Sequence, residues 1–208
     1  MKCRLCHSDT EKSFAFRERV FYQCVNCKSV QVDPDNLPSA EVEKERYSLH
    51  NNSIANKGYV DFLMPLIDAV RRFHTVEEKG LDFGSGPEPV LSQILRNEGF
   101  SVEAYDPVFR NNPELLDNKY NYLVCCEVIE HFHNPSKEFE LLSKMMKSGG
   151  ELYFKTNLLS RDIDFDSWWY KNDITHVFFY SSKALEYIRD NFNFSALRIE
   201  EEYFILKK

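Results

Sequence analysis

Gly80-Leu81-Asp82-Phe83-Gly84-Ser85-Gly86-Pro87-Glu88 is the stretch on which the reading of this chain turns. A short apolar strand, 80–83, runs into a glycine turn. Residues 90–98 follow as a helix, stopped by Gly99. Glycine permits the tight turn and lets a ligand approach the backbone between strand and helix. Asp106 ends the next strand, 101–106, and a carboxylate there can accept hydrogen bonds from ribose hydroxyls. The dinucleotide fingerprint Gly-x-Gly-x-x-Gly fails, because Pro89 stands where its third glycine belongs.

Outward from this unit the alternation continues. Residues 121–126 read as an apolar, central strand. Asn134-Pro135 opens a helix, with Asn as cap and Pro in the first turn, running to Lys147. Gly149-Gly150 turns into a strand over 151–156, and a helix over 182–191 precedes strands near 194–200 and 203–207. Upstream, residues 57–73 form a helix whose face carries Tyr59, Leu63, Leu66, Val70 and Phe73. Strands alternating with helices predict an α/β fold with a mainly parallel, covered sheet.

Asp82 precedes Gly84 by two, giving acid-x-Gly-x-Gly. An acid there repels a pyrophosphate and suits an ammonium group. The stretch resembles motif I of class I S-adenosylmethionine-dependent methyltransferases, with Asp106 matching their ribose-binding acid. The resemblance spans roughly 45–208. It implies a Rossmann-like sheet covered by helices and S-adenosylmethionine held by Asp82, Gly84, Ser85, Gly86, Asp106 and Glu127. Glu88 departs from the pattern, which usually has a third glycine there. Its side chain either crowds the cofactor or points away.

Glu127-Val128-Ile129-Glu130-His131 follows the central strand, on the side where ligands bind in such folds. Glu127, Glu130, His131 and the later His176 are the candidate catalytic residues. The run resembles the corresponding motif of class I enzymes that methylate hydroxyls, including ubiquinone-pathway O-methyltransferases. A similar Glu-x-x-Glu-His with one later histidine binds magnesium in small-RNA 2′-O-methyltransferases. Two roles stand: His131 as general base, with a carboxylate fixing its tautomer, or a second divalent ion that orients a hydroxyl. A structural role for the cluster is the third reading.

Cys3-x2-Cys6-x17-Cys24-x2-Cys27 has the spacing of a four-cysteine zinc site, with a two-stranded hairpin between its knuckles. His7 adjoins the site without being needed in it. The expected organisation is a zinc ribbon over 1–33, a linker and helical segment over 34–79, and a cofactor-binding domain over 80–208. In this reading losing the metal loosens only the N-terminal segment. A ribbon joined to this domain, with Trp168-Trp169-Tyr170 and Thr175-His176-Val177, resembles a group of bacterial methyltransferases. The ribbon is a candidate protein contact or a cover for the substrate site.

The net charge of −7 lowers the expectation of a nucleic-acid substrate without excluding one, since each phosphate contact calls for Lys or Arg. No apolar run approaches the ~20 residues of a membrane span, and the N-terminus lacks a signal-like apolar stretch. The expectation is a cytoplasmic enzyme acting on a small molecule, on a hydroxyl. Its alternatives are a non-catalytic zinc-ribbon binding protein on the same scaffold, supported by Glu88, and an RNA methyltransferase. His50, Asn51 and Asn52 are candidates for the cofactor mouth or a polar linker. Cys125 and Cys126 read as buried strand residues.

Overall fold

The computed structural model describes residues 1–49, 52–160 and 162–208. His50 and Asn51 lie outside the described residues. The larger sheet contains β4 (Lys79–Phe83), β5 (Ser101–Tyr105), β6 (Tyr120–Cys126), β7 (Met146–Lys155), β9 (Ala196–Ile199) and β10 (Phe204–Lys207), in the order β5-β4-β6-β7-β10-β9. The first four run parallel, and β10 enters antiparallel between β7 and β9. From β4 the chain crosses to β5 on one side and later to β6 on the other. A crevice therefore opens at the carboxyl end of β4, where open α/β sheets bind ligands.

Alternation along the strands builds two cores. Tyr122, Val124, Tyr153 and Ile205 face α2 (Lys57–Phe73) and α3 (Val90–Asn97), whose Leu63, Leu66, Val70, Val90, Leu91 and Leu95 are buried. Phe73 does not belong to that buried face and is 40% exposed. Leu123, Cys125, Leu152 and Phe154 face α4 (Pro135–Met145) and α5 (Ser182–Asn191). Helix α4 ends at Met145 rather than Lys147, and β7 begins at once. Gly149-Gly150 therefore lies inside β7, beside a register shift against β6, as a bulge instead of an entry turn.

The second sheet has the order β1-β2-β3-β8, with β1 (Thr10–Phe16), β2 (Arg19–Cys24), β3 (Val30–Val32) and β8 (Phe178–Phe179). β8 comes from the C-terminal half, pairing Val30 with Phe179 and Gln31 with Phe178. A third core joins Phe21, Val30 and Val32 to Trp168, Tyr170, Val177 and Phe179. The N-terminal hairpin thus shares a sheet and a core with the chain around residue 178, and the expected boundary near residue 33 is crossed by both.

Residues Ala40–Ser48 form a helix, α1, capped by the Ser39 side chain on the Val42 amide. It has no buried residue and no apolar stripe. No helix among the described residues is long and apolar enough to cross a membrane.

Candidate active site

The turn after β4 is held by two amides, Gly84 and Ser85, that donate to the Tyr105 carbonyl at 2.8 and 3.0 Å. Gly84 adopts φ +78°, and a Cβ there would come within 2.6 Å of the Val128 side chain. Only glycine lets this backbone pass so close to the loop after β6. Asp106 fixes the turn from the next strand: Oδ2 accepts from the Gly86 amide at 2.9 Å, and Oδ1 accepts from Val108 and Phe109. A carboxylate has further lone pairs, so ribose hydroxyls can still be accepted.

One cavity of about 1090 Å³ opens here. Gly84, Ser85, Asp106, Val108 and Glu127 line one part of it, and Tyr47, His131, Phe132, His133 and His176 line another. Asn52 lines it as well. Asp82 does not. Its carboxylate is buried beneath the N-terminus of α3, near the Ser92 amide at 3.4 Å, and burial raises its pKa to about 6. Asp82 therefore supports the turn from behind. Glu88 is exposed and off the cavity, so it points away instead of crowding it.

Ser85 Oγ and Glu127 Oε1 are buried without a hydrogen-bond partner among the described residues. Both belong to cavity-lining residues, where a bound ligand or water can supply the missing partner. Glu127 also holds φ +51°, costly for a side-chain-bearing residue.

The acidic cluster is tightly knitted. Glu130 is fully buried, and burial followed by the charge of Glu127 pushes its carboxyl well above the usual range. Thr156 Oγ1 donates to Glu130 Oε2 at 3.1 Å. Tyr170 Oη lies 2.6 Å from Glu130 Oε1 and 3.0 Å from Glu127 Oε2. One hydroxyl proton cannot serve both carboxylates. A protonated Glu130 donating to Tyr170, which donates to Glu127 Oε2, gives both short contacts a proton and leaves Glu127 Oε1 unpaired.

His131 and His176 face each other with ring centroids 4.8 Å apart. His131 Nδ1 bonds the Thr175 carbonyl at 2.9 Å, and His176 Nδ1 bonds the Tyr170 carbonyl at 2.8 Å. A carbonyl only accepts, so each Nδ1 carries a proton, and in a neutral ring the lone pair falls on Nε2. Burial lowers the His176 pKa to about 4 and keeps it neutral. One ligand atom each from Glu130, His131 and His176 falls within a span of 4.8 Å.

Helix α1 closes over this end. Glu43 bonds His133 Nε2 at 2.8 Å, Arg46 pairs with Asp173 at 2.7 Å, and Tyr47 meets His131 edge to face at 5.3 Å. Sequence reading missed Glu43, Tyr47, His133 and Thr156, because long-range packing alone brings them here. Of the aromatic triplet, Trp168 and Tyr170 are buried and Trp169 is 64% exposed.

The four N-terminal cysteines converge. Cys3 and Cys27 sulfurs are 3.7 Å apart, those of Cys6 and Cys24 3.3 Å, and all four lie within 4.8 Å of one another. A zinc ion at ~2.3 Å from four sulfurs needs them roughly 3.8 Å apart, so the set fits with small adjustments. His7 is exposed. Cys125 is buried in its strand, while Cys126 touches the cavity.

Residues 56–199 match a methyltransferase-domain family. The chain belongs to that family. Its sheet is the Rossmann-like sheet of class I methyltransferases. An O-methyltransferase family protein from Burkholderia thailandensis superposes over 83% of this chain and 64% of its own, with TM-score 0.57 and 13% identity. Phosphoethanolamine N-methyltransferase 2 of Haemonchus contortus, solved with S-adenosyl-L-methionine, covers 82% of this chain and 48% of its own at TM-score 0.54 and 15% identity. The ubiquinone biosynthesis O-methyltransferase of Pseudomonas savastanoi pv. phaseolicola is 30% identical over 77 residues. That alignment takes in 37% of this chain and 33% of the relative, so the chain spans about a third of the curated relatives it matches.

Proposed function

We propose that the chain transfers a methyl group from S-adenosylmethionine to a hydroxyl of a small molecule. The continuous cavity from the Gly84-Ser85 turn and Asp106 to His131 and His176 carries this reading. Asp106 would take the ribose hydroxyls, and Ser85 Oγ and Glu127 Oε1 would receive their missing partners from the cofactor. When bound, the cofactor supplies a methyl group already activated on a sulfonium. What remains for the protein is to align the acceptor and remove its proton.

His131 suits the second task. As a neutral imidazole its Nδ1 bond to Thr175 leaves the lone pair on Nε2, and the ring lines the cavity. Glu130 Oε1 lies 3.9 Å from Nε2, so the buried carboxyl borders the edge of the ring that would take the proton. Phe132 and Tyr47 supply apolar walls for an organic acceptor. The O-methyltransferase name of the sequence relatives supports a hydroxyl acceptor, although an N-methyltransferase is among the proteins of the same fold.

A second reading has an observation of its own. Both histidines have Nδ1 tied to a backbone carbonyl, the arrangement by which metal-binding histidines are oriented, and His131 Nε2 lies 3.9 Å from Glu130 Oε1. A divalent ion would then be held by Glu130, His131 and His176 in place of the Glu130 proton. Zinc in the four-cysteine site is structural in either reading.

The test is methyl-labelled S-adenosylmethionine offered with panels of small hydroxyl, amine and thiol compounds. Label on a hydroxyl supports the proposal. Label only on amines or thiols overturns the acceptor class, and no binding of S-adenosylhomocysteine at millimolar concentration overturns the cofactor.

A further inference from the structure

The segment carrying Tyr170, Thr175 and His176 is folded largely against the cysteine hairpin. Phe165 packs on Phe14 at 4.1 Å and Phe21 at 5.4 Å between ring centroids, and the buried Lys171 ammonium lies 4.1 Å from the Phe16 ring. Two arginines of the cysteine ribbon then grip backbone carbonyls in and around it. Arg19 Nη1 donates to the carbonyls of Lys171 at 3.1 Å and Asp173 at 3.0 Å, and Nη2 donates to that of His176. Arg4, between Cys3 and Cys6, donates to the carbonyls of His133 at 2.9 Å and Val177 at 2.7 Å, and weakly to Val32 at 3.3 Å. Val177 in turn donates its amide to the Glu130 carbonyl at 2.9 Å.

We propose that Arg4 and Arg19 are positioning residues that hold His131 and His176 in their working orientation, so that the cysteine ribbon supports the acceptor site from behind the residues that line it. The physical reason lies in the guanidinium. It offers five donors in a fixed planar fork, and carbonyls meeting that fork are locked relative to one another. Burial lowers both arginines to about 10, which leaves them cationic at neutral pH. The Nε of each arginine is buried without a partner among the described residues, while the six carbonyls accept from the terminal guanidinium nitrogens and offset much of the cost of burying the charge. Three of them belong to residues 171, 173 and 176, which bracket the Thr175 carbonyl that orients His131. The chain leading from Tyr170, whose carbonyl orients His176, is held at its next residue.

The consequence is a division of labour. The ribbon sets the acceptor side, while the glycine turn and Asp106, which touch neither arginine, set the cofactor side. The inference rests on the reading of His131 and His176 as acceptor-side groups, but its test needs no turnover. Long-range nitrogen–proton NMR spectra of histidine-labelled, zinc-loaded protein read each imidazole tautomer directly. Wild-type protein should show Nδ1–H on His131 and His176. Arg19→Lys keeps a cation but not the fork, and should shift His176 toward the Nε2–H form preferred in water. Arg4→Lys should do the same to a lesser degree. Zinc content and S-adenosylhomocysteine affinity should stay within twofold of wild type in both. Lys2→Ala, which breaks only the surface pair with Asp9, should change nothing. If Arg19→Ala fails to hold zinc, the Lys variants decide. Wild-type tautomers in both Lys variants would overturn the proposal, as would loss of cofactor affinity equal to the tautomer change. Absence of S-adenosylhomocysteine binding in wild type would instead count against the methyl-transfer reading alone.

Discussion

Tyr170 Oη lies 2.6 Å from Glu130 Oε1, across 40 residues of chain. The pair joins the segment folded on the cysteine hairpin to the loop after the central strand. Its environment pushes the Glu130 carboxyl and the Tyr170 hydroxyl to higher pKa, chiefly by burial. Tyr170→Phe keeps the ring packed on Trp168 but strands two buried carboxyl groups. Leaving a buried acceptor unsatisfied costs about 1–3 kcal/mol. Denaturant unfolding should show a loss of that size, and an unchanged midpoint would mean that water replaces the hydroxyl.

Asp106 joins the end of β5 to the glycine turn through the Gly86 amide. Asp106→Ala removes that tie and the proposed ribose acceptor together. Asp106→Asn keeps one acceptor oxygen. Calorimetry with S-adenosylhomocysteine should show at least about tenfold weaker binding for Asn, or ~1.4 kcal/mol, and a larger loss for Ala. Wild-type affinity in a folded Ala variant would remove Asp106 from the cofactor site.

Asp82 gives a pH dependence with a definite sign. Burial raises its pKa from 3.8 to about 6 in the folded chain. The folded state then holds the proton more tightly than the unfolded state. The stabilising contribution is complete below about pH 4 and is lost as pH rises through about 6. A rise of that size is worth about 3 kcal/mol. Comparing wild type with Asp82→Asn from pH 4 to 7, without cofactor, should isolate this slope. Parallel stability curves would show that Asp82 is charged at no cost.

The glycine turn, Asp106 and the cysteine pairs were legible because each is a local pattern with one dominant chemistry. The sheet was legible because strand and helix periods alternate cleanly over 80–208. What escaped was tertiary. Helix α1 has no apolar stripe, so no period betrays it. β3 and β8 span three and two residues, and their pairing joins positions far apart in sequence. For that reason the expectation that metal loss would loosen only the N-terminal segment gives way to one that includes Phe178 and Phe179. Arg4, between the first two cysteines, and Arg19, at the hairpin turn, look like surface charges in the sequence, and only the carbonyls gathered around them reveal otherwise. Asp82 was legible as part of the turn but not in its orientation, which depends on α3 lying over it.

The last prediction separates the two roles of the histidine pair, once an acceptor has been found. If His131 is a general base, His131→Ala should slow turnover by about 10²–10⁴ with cofactor affinity nearly unchanged, since its ring touches the acceptor end of the cavity. His176→Ala should then cost much less, because its neutral ring, held by the Tyr170 carbonyl, supports His131 rather than taking the proton. If Glu130, His131 and His176 hold a divalent ion, both alanine variants should fail alike. A chelator should also abolish activity, and added magnesium or manganese should restore it. The experiment requires any zinc held by the four cysteines to be measured before and after chelation, because a metal lost from that site would disturb the same segment through β8. Activity that survives chelation with zinc intact, together with unequal alanine variants, identifies the base. Turnover unaffected by either substitution would make the cluster structural and move catalysis to the alignment of the acceptor alone.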